Sequence, residues 1–185
     1  MKKLILIPLI LLSFMMNAQE KLVLTENGFK TVSGKDYIVI DYPGMSQKAL
    51  YNLYLSTLTK LYISPRDVLS KVPFNMINVN GFVKNICSQS FVHYDSHYTI
   101  VFQFKDDKVR INAPIMRGAH GEIARSGKYF IYLKTNYVSG LEYIKFGIWN
   151  KKGKLKKDKW RNAIEDYFNN YIADILKETN KKDNW

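Results

Sequence analysis

Tyr98-Thr99-Ile100-Val101-Phe102-Gln103-Phe104-Lys105-Asp106-Asp107-Lys108-Val109-Arg110-Ile111-Asn112-Ala113 is the stretch on which the fold turns. Tyr98, Ile100, Phe102 and Phe104 alternate with His97, Thr99, Val101 and Gln103. Lys105 to Lys108 supplies a turn, and after it Val109, Ile111 and Ala113 alternate with Lys108, Arg110 and Asn112. Side chains of a strand point to opposite faces with period two, so this spacing predicts an antiparallel hairpin with one apolar and one polar face. An apolar sheet face must be covered, and the flanking sequence carries the means.

Upstream, Tyr37–Asp41 is a short apolar strand stopped by Pro43-Gly44. Ser46 then stands where a helix N-cap belongs. From Gln47 to Tyr62, Leu50, Leu53, Tyr54, Thr57, Leu58 and Leu61 recur at helical spacing until Ser64-Pro65 closes the run. Ile77 and Val79 alternate with Asn78 and Asn80, and Phe82–Ile86 follows Gly81, which reads as either a tight turn or a bulge in one long strand. Downstream, Tyr129–Lys134 and Tyr143–Trp149 are strand-like runs separated by Ser139-Gly140. Asp158 reads as the next N-cap. Behind it Trp160, Ala163, Ile164, Tyr167, Phe168, Tyr171, Ile172, Ile175 and Leu176 form one stripe, with Arg161, Asn162, Glu165, Asp166, Asn169, Asn170 and Asp174 opposite. Strands grouped between two long helices predict an α+β fold, β-α-β-β-β-β-α. Its curved antiparallel sheet should carry both helices on one face.

The N-terminus sets the address. Met1-Lys2-Lys3, an apolar run from Leu4 to Met16, and the small-residue exit Asn17-Ala18 read as a signal peptide cleaved between Ala18 and Gln19. Residues 1–18 are then the signal and 19–185 one α+β domain, with 19–35 an irregular lead-in. The apolar run falls short of the roughly 20 residues a membrane-spanning helix needs, and the mature chain has no other run of that length. Cys87 is the one cysteine, far from the exit, so the protein is expected to be a soluble periplasmic or extracellular chain and not a lipoprotein. The formal charge is +12, and removing Lys2 and Lys3 leaves +10. For an exported chain that excess points to anionic envelope components or glycans, and not to nucleic acid.

The order of elements resembles a known family: small exported bacterial proteins of unknown function with a fold similar to the TATA-binding protein. The features that carry the resemblance are Asn17-Ala18-Gln19, strand Tyr37–Asp41 with Pro43-Gly44-Met45-Ser46 and its helix, and Asp67-Val68. Strand Asn78-Val79-Asn80-Gly81, the central hairpin and the C-terminal amphipathic helix complete it. The resemblance implies a helix-grip-like sheet and brings no activity, cofactor or site residue with it. A fold does not carry function.

Three constellations are candidates for chemistry. His93, Asp95 and His97 share one face if they lie on a strand, a set suited to Zn²⁺ or Fe²⁺, although Tyr94-Asp95-Ser96 also reads as a turn that would scatter them. They would centre a small metal-dependent or hydrolytic enzyme, the alternative to a binding module. Arg117, Arg125 and Lys128 sit among glycines; Gly121 to Gly127-Lys128 is one residue too long for a nucleotide loop and continues with Tyr129, so only anion binding survives. Lys151, Lys152 and Lys154 head a lysine run that could meet anionic head groups or glycans. There is no Gly-x-Ser-x-Gly, and Cys87 is read as a buried small hydrophobe. The expectation is therefore a non-enzymatic exported domain with an anionic ligand or envelope partner and no cofactor, with a purely structural envelope role as a further alternative.

Overall fold

The computed structural model describes residues 20–89, 92–116, 119–123, 127–134 and 145–181. Its centre is the hairpin. Strand β6 (Val92–Lys105) and β7 (Lys108–Asn112) pair as Phe102 with Ile111, Gln103 with Arg110 and Lys105 with Lys108. Asp107 takes φ +64 at the turn, a left-handed conformation that aspartate tolerates better than most residues. Strand β3 (Tyr37–Asp41) adds to the outer edge of β7. On its other side β6 pairs with β5 (Met76–Gln89), and β5 with β4 (Leu69–Val72). Near its start β6 also meets β8 (Ile115–Met116) and β9 (Ala119–Ile123). Strands β10 (Gly127–Lys134) and β11 (Lys145–Trp149) extend the sheet beyond β9, and their mutual pairing is parallel while every other pair is antiparallel. The Ser139-Gly140 turn expected between these last two strands lies outside the described residues.

Asn80-Gly81 makes no turn: β5 is continuous for 14 residues. Its irregularity comes later, between Val83 and Cys87, where Asn85 takes φ +56. At Gly81 the missing side chain has a specific use. A Cβ there would lie 2.2 Å from Cζ of Tyr98, its cross-strand partner, so the glycine lets that ring lie flat across the neighbouring strand.

Helix α1 (Gln47–Leu61) begins as its sequence requires, with Ser46 Oγ accepting from the Ala49 amide at 3.3 Å. It has no acid in its first turn, and Asp106 of the hairpin turn supplies one from across the fold, accepting from the Gln47 amide at 2.8 Å. Asp107 accepts from the Gly44 amide at 2.7 Å. Pro65 opens a one-turn helix, α2 (Pro65–Val68), at a position where its missing N–H costs nothing. Helix α3 (Asp158–Thr179) starts one residue earlier than the reading of Asp158 as cap: Lys157 occupies the cap without a side-chain bond, and Asp158 pairs with Arg161 at 2.7 Å.

Both long helices cover the inner face, as expected. Tyr54 packs on Phe102 and Phe104, Phe168 on Tyr98, and Trp160 on Tyr94. Trp160 also donates its indole N–H to the Ser88 carbonyl at 3.0 Å. Buried aromatic and aliphatic side chains of this size contribute about 1.5–3 kcal/mol each against exposure, which is how a chain with one cysteine holds together.

Residues 20–35 are not an irregular lead-in. Strands β1 (Leu22–Thr25) and β2 (Gly28–Thr31) form a separate hairpin that buries Leu22, Leu24 and Phe29. It docks on α3 through residues the helical pattern assigns to solvent. Asn169 accepts from the Leu22 amide and donates to the Leu22 carbonyl, both at 2.9 Å, while Glu165 accepts from the Leu24 amide at 2.8 Å. One asparagine thus satisfies both backbone groups of a strand residue, as a neighbouring strand would.

Candidate functional site

The described residues include the first and third of the three constellations, and Lys128 of the second. His93, Asp95 and His97 do lie on one strand, with no turn at Tyr94-Asp95-Ser96, and all three face away from the helices. A strand advances about 3.4 Å per residue, so His93 and His97 are separated by roughly 13 Å along it. Among the described residues no three such side chains gather about a point an ion could occupy. Asp95 has another use: its Oδ1 accepts from the amide of Asn85 at 2.8 Å and holds the bulge of β5. His97 packs on Phe82 with ring centroids 4.8 Å apart.

Arg117 and Arg125 lie outside the described residues. Lys128 is on β10, its Cα opposite Glu122 of β9. Ala18 and Gln19 precede the described chain. Lys151, Lys152 and Lys154 occupy an ordered turn, because Asn150 Oδ1 accepts from the amides of Lys152 and Lys154 at 3.0 and 2.9 Å. This turn leads into the start of α3. The far end of that helix, at Thr179, reaches Tyr42 beside β3.

Two further groups bear on reactivity. Cys87 is buried, and burial pushes its thiol up to about 12, the opposite of what a nucleophilic thiolate needs. Tyr62, Tyr98, Tyr167 and Tyr171 cluster under α3, with Tyr62 and Tyr171 hydroxyls bonded to each other. Burial raises all four phenols, so they stay neutral and act as core hydrogen-bonding groups.

A concavity lies elsewhere, on the open face of the sheet at the tip of the central hairpin. It encloses about 400 Å³ between Tyr37 and Val39 of β3, Lys108 and Arg110 of β7, and Gln103 and Lys105 of β6, with Asn75 also in its lining. Register explains the grouping: Val39, Arg110, Gln103 and Met76 form one row across four strands, and Asp41, Lys108 and Lys105 form the next. Lys105 and Lys108 therefore stand directly opposite each other, an arrangement of like charges that destabilises a strand pair. The acids that could relieve it are turned away, since Asp106 and Asp107 hold the amides before and at the start of α1. Only Asp41, opposite Lys108, shares the row. Arg161 pairs with Asp158 and Glu165, and Lys181 with Glu178, and none of these ion pairs draws on the groove cations.

Arg110 is held in place. Its guanidinium lies 4.0 Å from the centre of the Tyr37 ring, and its Nε donates to Asn112 Oδ1 at 2.8 Å. Among the described residues no acceptor is bonded to its terminal nitrogens. The sequence pattern assigns Lys105 and Lys108 to a turn and Arg110 to the polar face of the hairpin. The signal missed was three cations on alternating, same-face positions about a two-residue turn.

No family model matches the chain, and no curated protein does. Two solved structures are similar. One is a TBP-like protein from Parabacteroides distasonis ATCC 8503, with TM-score 0.57 and 13% identity over 79% of this chain and 92% of that one. The other is a DUF4468 family protein from Bacteroides ovatus ATCC 8483, with TM-score 0.49 and 14% identity over 80% and 87% respectively. The first likeness, together with the sheet and helices described above, shows the fold: this chain has the α+β architecture of TBP-like proteins.

Proposed function

We propose that this protein is an exported, non-enzymatic binding module that takes an anionic ligand in the groove at the tip of its central hairpin. The observation that carries the reading is the placement of Lys105 directly against Lys108, with Arg110 on the same face and the turn acids committed elsewhere. A fold optimised for stability alone separates such charges or interleaves acids among them. Local rules broken with only partial local compensation, here Asp41 opposite Lys108, are a mark of functional sites. A bound anion supplies the compensation.

Sulfate is a direct test, because its charge is fixed near neutral pH. Titrated into the protein at low ionic strength, it should shift the backbone amides of residues 103–110 saturably and raise the melting temperature, and both effects should weaken with added sodium chloride. The triple variant Lys105→Gln, Lys108→Gln, Arg110→Gln should melt higher than wild type without sulfate and lose the response. A variant that responds like wild type would remove the groove from consideration.

A further inference from the structure

We propose that the ligand is a phosphomonoester on a single sugar-sized, hydroxyl-bearing body. The proposal rests on the anion-binding reading and narrows it.

Charge selects the head group. Three cations line the groove, and Asp41 beside Lys108 offsets one of them. A phosphomonoester carries about −1.5 to −2 near neutral pH, which matches that balance. A carboxylate or sulfate ester, with one charge, leaves half of it uncompensated. Geometry agrees. Arg110 lies against Tyr37 and has its Nε bonded to Asn112, so the two terminal nitrogens form a fork for two oxygens of one group. Lys105 and Lys108 act as point charges on the remaining oxygen.

The rest of the lining selects the body. Asn75 and Gln103 are neutral amides, each able to donate to and accept from hydroxyls. Val39 is 43% exposed and offers an apolar surface against which a sugar ring's C–H face can pack. A volume of about 400 Å³ lies toward the small end of ligand sites, which run to about 1,000 Å³. It suits one phosphorylated ring. Such a ring reaches an exported protein either free or as the head of a phosphorylated glycolipid, and the groove chemistry is the same for both.

Calorimetric titration with glucose 6-phosphate, glucose 6-sulfate and glucose tests the class. Glucose 6-phosphate should bind about tenfold more tightly than the sulfate at neutral pH, the worth of one extra charge near a partly solvated cation, and glucose should not bind. Between about pH 7.5 and about pH 5.5 the phosphate should lose about fourfold in affinity, because its second pKa is about 6. The sulfate should lose nothing. The charged groups lining the groove are Lys105, Lys108 and Arg110, with Asp41 opposite Lys108 in the same row; Asp106 and Asp107 are held by the Gln47 and Gly44 amides, and no histidine lines the groove. The exposed variant Arg110→Lys keeps the charge and removes the fork, and should cost about tenfold for the phosphate. Vesicles of phosphatidylcholine carrying lipid A separate the sources: binding displaced by glucose 6-phosphate assigns the lipid head group, and binding of the free sugar alone assigns the soluble ligand. Equal, pH-independent binding of phosphate and sulfate esters would overturn the proposal and leave the broader anion reading standing. Loss of inorganic sulfate binding as well would overturn both.

Discussion

Replacing Gly81 by alanine tests the packing at the heart of the sheet. A Cβ at that position would stand 2.2 Å from Cζ, 2.4 Å from Oη and 2.6 Å from Cε2 of Tyr98. Ordinary carbon contacts need about 3.5–4.0 Å, so the ring must retreat by more than an ångström. It has nowhere to go. Tyr98 is 4% exposed, with Phe168, Tyr171 and Tyr167 at 5.2, 5.9 and 6.1 Å between ring centres. Overpacking of this kind costs about 1–3 kcal/mol. Gly81 has no positive φ, so alanine brings no backbone strain and gains about 0.4–1 kcal/mol from a less disordered unfolded chain. The net expectation is destabilisation of about 1–2 kcal/mol, read as a lower midpoint in urea with an unchanged slope. In a Tyr98→Leu background the same change should be neutral or slightly stabilising, so the double-mutant cycle returns a coupling of about the full clash. If Gly81→Ala stabilises the wild-type protein, or destabilises both backgrounds equally, the argument is wrong.

Three further outcomes follow from the same geometry. Asn169→Ala leaves the amide and carbonyl of Leu22 without partners at the cost of about 2–4 kcal/mol, and amide exchange should accelerate in residues 22–31 before the rest of the sheet; uniform exchange across the molecule would refute the docking role. Asp95→Ala removes the acceptor for the Asn85 amide and should cost about 1–2 kcal/mol, whereas Asp95→Asn, which keeps an oxygen, should recover most of it in the same urea assay. For pH, burial pushes the Cys87 thiol up to about 12 from an ordinary 9.0, and burial raises the Tyr98, Tyr167 and Tyr171 phenols as well. A raised folded-state pKa gives stability that is whole below the unfolded value and is lost above it. The urea midpoint should therefore hold through about pH 8 and fall above about pH 9 to 10; a midpoint flat to strongly alkaline pH would contradict the burial.

What could be read from the chain follows from the range of each signal. The central hairpin and α3 were legible because their periods persist over many residues and because one face of each is buried against a continuous surface. Ser46 was legible because a cap is a local bond. Strands β1 and β2 were not. Each is four residues long, and the partners that keep them in place, Glu165 and Asn169, lie more than a hundred residues away on what the helical pattern marks as a solvent face. Asp158 misled for the reverse reason, since a carboxylate at a helix start serves equally well as a cap or as a partner for Arg161. The histidine pair failed as a site on distance alone: the alternation predicts a shared face and says nothing of reach. The groove needed the register of β3, β7 and β6 together, and register follows from pairing that no single segment encodes.

The asparagine that clasps Leu22 joins the first strand of the described chain to its last helix, 147 positions apart. During synthesis, or during passage of an extended chain through any pore, β1 therefore has no native lodging until residue 169 has emerged. Docking of the N-terminal hairpin on α3 is thus a closure over nearly the whole described chain, the kind of long-range contact that forms slowly.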